Sequence, residues 1–209
     1  MDGHSKVAEQ LKILKKEYPN AKYYLDFSNP LQLLVAAILS AQCRDETVNR
    51  CTKELFKKYK SARDFAKLDE NDLKSITFFK SKAKNIREAC KTLDEKYGSG
   101  VPQTMEELTS LPGIGRKTAN VILANAFNII LGIPVDTHYI RVGYRLGWTK
   151  SKNPDIIERD SMNLIPKSEW KIVPHLLKAH GRAVCKPLPE CSRCCVNKLC
   201  PKNGVTKSI

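Results

Sequence analysis

The segment Leu111-Pro112-Gly113-Ile114-Gly115 constrains this chain most, because it sets two glycines and a proline between two stretches of helical pattern. Upstream, Thr104-Met105-Glu106-Glu107 has the T-x-x-E spacing of a capping box and predicts the start of a short helix. Pro112 and Gly113 stop that helix, and the glycines supply backbone angles closed to other residues. From Arg116, the spacing of Ala119, Ile122, Leu123 and Ala126 predicts a second helix to about Phe127. Such a hairpin lets a ligand approach the backbone closely. The second helix begins with free amides, and its dipole favours an anion there. Arg116 and Lys117 add positive charge. A phosphate site and a plain helix corner with a basic start both fit the glycines.

Lys117 lies in the first turn of the second helix, where the dipole disfavours a cation and eases loss of the amine proton. A neutral lysine amine is a nucleophile that forms Schiff bases. With an ordinary pKa of about 10.4, only roughly one lysine in a thousand is neutral near pH 7.4, so this chemistry needs a perturbation or a nearby proton acceptor. Asp136 follows nineteen positions later, within Val135-Asp136-Thr137-His138. It reads as the N-cap of a further helix, or as a carboxylate that stabilises positive charge on a reacting sugar beside Lys117.

The chain has 209 residues, enough for one large domain or two small ones, and 42% of them are hydrophobic, enough for a core. Thirty-six Lys and Arg stand against 22 Asp and Glu, a formal charge of +14. That excess favours a polyanion partner, nucleic acid before an anionic membrane, though a lysine-rich solvated surface also fits. No apolar run is long enough to span a bilayer, and the first residues lack a signal-peptide pattern, so an intracellular protein is expected, in cytoplasm or nucleoid if prokaryotic.

Helical periodicity continues along the chain, and strand-like alternation is nearly absent. Residues 4–17 read as an amphipathic helix. Residues 30–42, PLQLLVAAILSAQ, are apolar nearly all round and predict a buried central helix. Asp45 starts the next helix and reads as its N-cap or as a catalytic carboxylate. Two short patterns fill 61–76, and a longer helix runs to about Tyr97 with Lys80, Lys84, Arg87 and Lys91 on one face. That face is either a phosphate track or simply solvated. About six helical segments fall between Leu25 and Leu131. Further helices are expected after Asp136 and over 153–164 and 168–182.

Five of the eight cysteines fall in the last 25 residues. Without an export signal, metal binding is a better reading than disulfides. Cys185, Cys191, Cys194 and Cys200 are separated by gaps of five, two and five residues. Four thiolates suit tetrahedral zinc, but the single C-x2-C knuckle and the unequal gaps suit a [4Fe-4S] cluster. Cys195 is left over, and Cys43, Cys51 and Cys90 read as buried thiols.

The hairpin LPGIGRKTANVIL, the downstream VDTH and the terminal cysteines together resemble the endonuclease III family of DNA glycosylases and abasic-site lyases. The likeness runs from about Tyr18 to Cys200. It implies an all-α protein with a helix-hairpin-helix at about 104–128. A six-helix bundle would span 24–132, and 1–23 with 133–209 would form an iron–sulfur domain, the two flanking a DNA-binding cleft. It assigns Lys117 as the nucleophile at the sugar C1′, Asp136 as its assistant, and Cys185, Cys191, Cys194 and Cys200 as ligands of a [4Fe-4S] cluster. The family's first cysteine gap is six, one more than here. DNA contacts fall to Gly113, Gly115, Arg116 and His138, and Gln42, which ends the family's SAQ, fills the hole left by an extruded base. The family's wedge position is Phe78, following Thr77 in place of a glycine. Phe78 either stacks between bases or joins the core. The implied activity is removal of oxidised pyrimidines and β-elimination 3′ to the abasic site, by a monomer acting on damaged double-stranded DNA. Monofunctional relatives usually lack the lysine, and a non-catalytic DNA-binding module would lose Lys117 or Asp136. A zinc-stabilised RNA-binding protein is the distant rival.

Overall fold

The structure, a computed structural model, describes residues 3–209. Its first helix is α1 (Gly3–Glu17). Six follow: α2 (Pro30–Ser40), α3 (Asp45–Lys58), α4 (Ala62–Phe65), α5 (Phe79–Lys96), α6 (Met105–Ser110) and α7 (Arg116–Ala126). The last three are α8 (Thr137–Leu146), α9 (Pro154–Leu164) and α10 (Val173–Ala183). Short 3-10 turns fill some of the gaps, and there is no strand among the described residues. The all-α expectation therefore holds. The helices group into two compact units, Tyr24–Leu131 and the N-terminal residues through Tyr23 with Gly132–Ile209.

The unit Tyr24–Leu131 is built round α2. Asn29 caps it by accepting the amide of Gln32 at 2.9 Å, and Pro30 occupies the first turn, where its missing N–H costs nothing. Seven consecutive residues, Leu33–Leu39, are buried, so α2 is covered all round, packing against α3, α5 and α7. Each fully buried leucine here contributes roughly 1.5–3 kcal/mol by leaving water. The helix α5 supplies Ala83, Ile86, Ala89, Cys90 and Leu93 to the same core.

The other unit packs Val7, Leu11 and Leu14 of α1 against Tyr139, Val142 and Leu146 of α8 and Val173, Leu176 and Leu177 of α10. Gln10, fully buried, ties the two ends of the chain. It donates to the carbonyls of Leu146 and Leu199 at 3.3 and 3.0 Å and accepts the indole N–H of Trp148 at 2.6 Å. Leaving such a group without partners would cost about 1–3 kcal/mol, so the lock also fixes the register of α1.

Two local expectations are corrected. The helix expected over 168–182 is split into a 3-10 turn at Lys167–Glu169 and α10, because a continuous helix would drive the Pro174 ring into the carbonyl of Trp170. Asp45 is the first residue of α3 and Arg44 is its N-cap; the Asp45 carboxylate is buried in the first turn, where the dipole favours it. On the basic face of α5, Arg87 donates to the Leu68 carbonyl at 3.1 Å, and Lys84 and Lys91 lie exposed, 3.9 and 3.8 Å from Glu88 and Glu95.

Candidate nucleic-acid interface and cysteine centre

Within the unit Tyr24–Leu131, Thr104 caps α6. Its hydroxyl accepts the Glu107 amide at 3.2 Å and donates to the Glu107 carboxylate at 2.6 Å. The turn that follows closes when the Ile114 amide donates to Leu111 O at 3.2 Å, and the buried side chains of Leu111 and Ile114 anchor it. Gly113 is required twice over. Its φ is +80°, and an added Cβ would lie 2.9 Å from Asn85 Nδ2 on α5. Gly115 is different: φ is −91°, and a Cβ there would meet nothing within 4 Å. Neither backbone strain nor packing demands that glycine, which leaves the open space before it for a partner. Gly115 is the N-cap of α7 and gives the first-turn amides no side-chain cap. Arg116 and Lys117 take the first two helical positions, both exposed. The arrangement is an uncapped, basic helix start behind a bare backbone, the combination that binds phosphate.

Gln42 and Phe78 belong to the same unit. Both are exposed, and both have left-handed backbones, φ +51° and +57°. Phe78 is 63% exposed, so its alternative reading as a core residue is wrong. The left-handed angle falls on Phe78 itself, at the N-cap of α5, and not on Thr77, where the family glycine would stand.

In the other unit, Asp136 caps α8 by accepting the Tyr139 amide at 2.8 Å. One carboxylate oxygen makes this bond, and the cap does not need the second. His138 Nδ1 lies 3.2 Å from an Arg141 N–H, which makes Nδ1 the acceptor and leaves the proton on Nε2. Burial lowers the His138 pKa, Asp136 raises it, and Arg141 lowers it further.

Cys185, Cys191, Cys194 and Cys200 line one cavity with Arg145, His180 and apolar side chains including Leu146, Val184, Val196 and Val205. Among the described residues, no three His, Cys, Asp or Glu side chains are grouped to hold a single metal ion. The four thiols surround a space and do not converge on one point. Burial pushes the Cys185 and Cys200 thiols above their ordinary range, so a metal centre would have to supply the charge that holds them as thiolates. Cys195 packs on the core but does not line the cavity.

Residues that the sequence reading missed hold this loop. Arg141 donates to Cys185 O at 2.9 Å and Gly181 O at 3.0 Å. Arg145, one turn on, donates to Lys186 O at 2.6 Å and Pro187 O at 2.8 Å and lies 3.4 Å from Cys185 Sγ. Buried His180 stands between Tyr18 Oη (2.9 Å) and Cys194 Sγ (3.6 Å). Two cations of the loop, Lys186 and Arg193, both pair with Glu190, at 2.6 and 3.0 Å. Only the i,i+4 spacing of Arg141 and Arg145 on one helix face could have signalled the latch.

Residues 35–167 match the HhH-GPD superfamily of base excision DNA repair proteins, and the chain belongs to that superfamily. Within it, the chain is 49% identical to endonuclease III of Synechocystis over 94% of this chain and 92% of that protein. Endonuclease III of Bacillus subtilis is 43% identical, over 88% and 86% of the two chains. The fold superposes on a trapped endonuclease III–DNA covalent intermediate with a TM-score of 0.91, 39% identity and 97% coverage of both chains. A thermostable thymine-DNA glycosylase shares the fold at a TM-score of 0.83 and 21% identity, covering 95% of this chain and 96% of that one.

Proposed function

We propose that this chain is a bifunctional DNA glycosylase and abasic-site lyase of base excision repair, acting on oxidised pyrimidines in double-stranded DNA. The observation that carries the reading is the exposed Lys117 in the first turn of an uncapped helix, directly behind a glycine whose bare backbone faces open space. A relative with 39% identity has been trapped as a covalent intermediate with DNA, which supports a nucleophile supplied by the protein.

Amides at Gly113, Gly115 and the start of α7, with Arg116, hold the DNA backbone and set the register. The damaged nucleotide leaves the stack, and Gln42 and Phe78 enter the gap. The neutral amine of Lys117 attacks C1′; the bond from C1′ to the base breaks, and its electron pair leaves with the base, which takes up a proton. Asp136 stabilises the positive charge that develops on the sugar and accepts the proton lost by the attacking nitrogen. The sugar ring then opens: the nitrogen lone pair forms C1′=N as the C1′–O4′ bond breaks and O4′ takes up a proton, and the resulting Schiff base acidifies C2′. Loss of a C2′ proton then breaks the C3′–O3′ bond and nicks the strand, and hydrolysis frees Lys117. His138 is oriented by Arg141 to offer its Nε2–H to a phosphate.

Cys185, Cys191, Cys194 and Cys200 would hold a [4Fe-4S] cluster, since four thiols round a cavity suit a multi-atom centre better than one zinc ion. When bound, the cluster supplies rigidity to the loop after α10 and no step of the base-release chemistry.

Borohydride added to a reaction on duplex DNA containing an oxidised thymine tests the mechanism. The expected result is a covalent protein–DNA band from the native enzyme and none from Lys117→Gln. Base release without a band would make water the nucleophile and the enzyme monofunctional.

A further inference from the structure

Lys82, in the first turn of α5, is a lysine in an unusual setting: it is 5% exposed. Its Nζ donates to Leu39 O at 2.8 Å and to Ala41 O at 2.6 Å. Those carbonyls end α2, where the helix dipole favours a cation. Burial lowers its pKa. With two carbonyls bound, the amine is committed and is no rival to Lys117 as a nucleophile.

The second carbonyl sits in a particular place. Ser40–Cys43 forms a turn closed by the Cys43 amide donating to Ser40 O at 3.1 Å. Ala41 has φ −57° and ψ 119°, and Gln42 has φ +51°. These are type II values, which favour glycine at the Gln42 position. A type I turn differs chiefly by a flip of the central peptide, here the one joining Ala41 to Gln42, and would suit a glutamine better. The carbonyl of that peptide is the one Lys82 holds. Lys82 also lies in the helical turn that begins at the other left-handed residue: its backbone amide makes the i→i−4 bond to Phe78 O at 3.2 Å that any residue there would make, and Ser81 Oγ donates to the same carbonyl at 3.0 Å. The Lys82 side chain thus ties the turn that carries Gln42 to the helix start that carries Phe78. Strain at an exposed position persists only where its surroundings impose it, and it gathers where function needs it.

We propose that Lys82 is a positioning residue for base extrusion: it fixes the flip of the Ala41–Gln42 peptide and couples Gln42 to Phe78 as one rigid pair. This rests on the roles proposed above for those two residues. The first half of the test does not. In the Lys82→Met protein, the turn relaxes towards type I, and the strong NMR cross-peak between Ala41 Hα and the Gln42 amide proton that marks a type II turn weakens. Lys82→Arg keeps the donors and the cross-peak. Lys82→Gln, which reaches at most one carbonyl, replaces the methionine variant if that protein does not fold.

The second half compares two single-turnover reactions, base release from a paired oxidised thymine and strand cleavage at a preformed abasic site, which has no base to unstack. Losing two bonds from a charged donor slows base release by about 10- to 100-fold. Abasic-site cleavage falls at least tenfold less. Adding Gln42→Ala to Lys82→Met slows base release by less than about twofold, because the two act through one route. An unchanged cross-peak, equal slowing of both reactions, or multiplying effects of the two substitutions each overturn the proposal. Failure of the native enzyme to release any oxidised pyrimidine would instead strike the substrate reading, and the cross-peak would still decide the turn.

Discussion

Gly113 and Gly115 are two residues apart in one hairpin, yet they are glycines for different reasons. At Gly113 the backbone is left-handed and Asn85 fills the space a side chain would need. An alanine there pays about 1–2 kcal/mol for the angle, before the contact with Asn85 is counted. Gly113→Ala is therefore expected to lower the unfolding midpoint and weaken DNA binding together. At Gly115 the angle is ordinary and the space is open. Gly115→Ala should leave the unfolding midpoint unchanged but lose about tenfold in DNA affinity, because a methyl group lies between the helix amides and the phosphate. Thermal unfolding and binding titrations on both proteins separate the cases, and a Gly115→Ala protein that binds as tightly as the native one would remove the phosphate from this hairpin.

At the scale of elements, α8 carries two tasks on one helix. Its N-cap is Asp136, and further along the helix Arg141 and Arg145 hold the cysteine loop through carbonyls of Cys185, Lys186 and Pro187. Hydrogen bonds from charged donors contribute about 1.5–3 kcal/mol each, so Arg145→Ala should loosen this loop more than any exposed lysine change. Iron content and visible absorbance of the purified protein should both fall in Arg145→Ala, while Lys198→Ala retains them. Intact iron in Arg145→Ala would show that core packing of the cysteines holds the loop without the latch. The element α5 has a comparable span. Phe78, Lys82 and Asn85, at i, i+4 and i+7, contact solvent, the Gln42 turn and the hairpin glycine in turn.

For the molecule as a whole, the charge of +14 makes DNA affinity fall with salt. The slope of log K against log salt should be about −0.9 per phosphate neutralised, and Arg116→Ala should reduce its magnitude by about 1. Stability carries a pH signature from His175. Burial, with Lys178 nearby, pushes its pKa down to about 4 from 6.5. A depressed folded pKa means that the unfolded chain takes up the proton first, so this contribution is complete above about pH 6.5 and is lost as pH falls towards 4. Between pH 7 and pH 5 the loss amounts to about 2 kcal/mol. Urea unfolding at the two pH values should show that loss in the native protein and lack it in His175→Gln; equal slopes would place the titration elsewhere.

The sequence by itself determined the helices, since their apolar spacing and caps are local: Asn29 before α2, Thr104 before α6 and Asp136 before α8 are written next to what they cap. It also marked the residues proposed to carry reactive chemistry, because a hairpin lysine and four spaced cysteines are recognisable by type and interval alone. The Pro174 break is equally local, since the proline ring bars a helix running through it from Trp170. The partners of side chains from distant segments were decided only by tertiary structure. Nothing near Lys82 in sequence points to carbonyls 41 and 43 residues away, nor near Arg145 to those 41 and 42 residues on. A lysine reads as solvated until packing removes its water. The physical reason is that burial and hydrogen-bond partners belong to the folded arrangement, whereas periodicity, capping and ligand type belong to the chain.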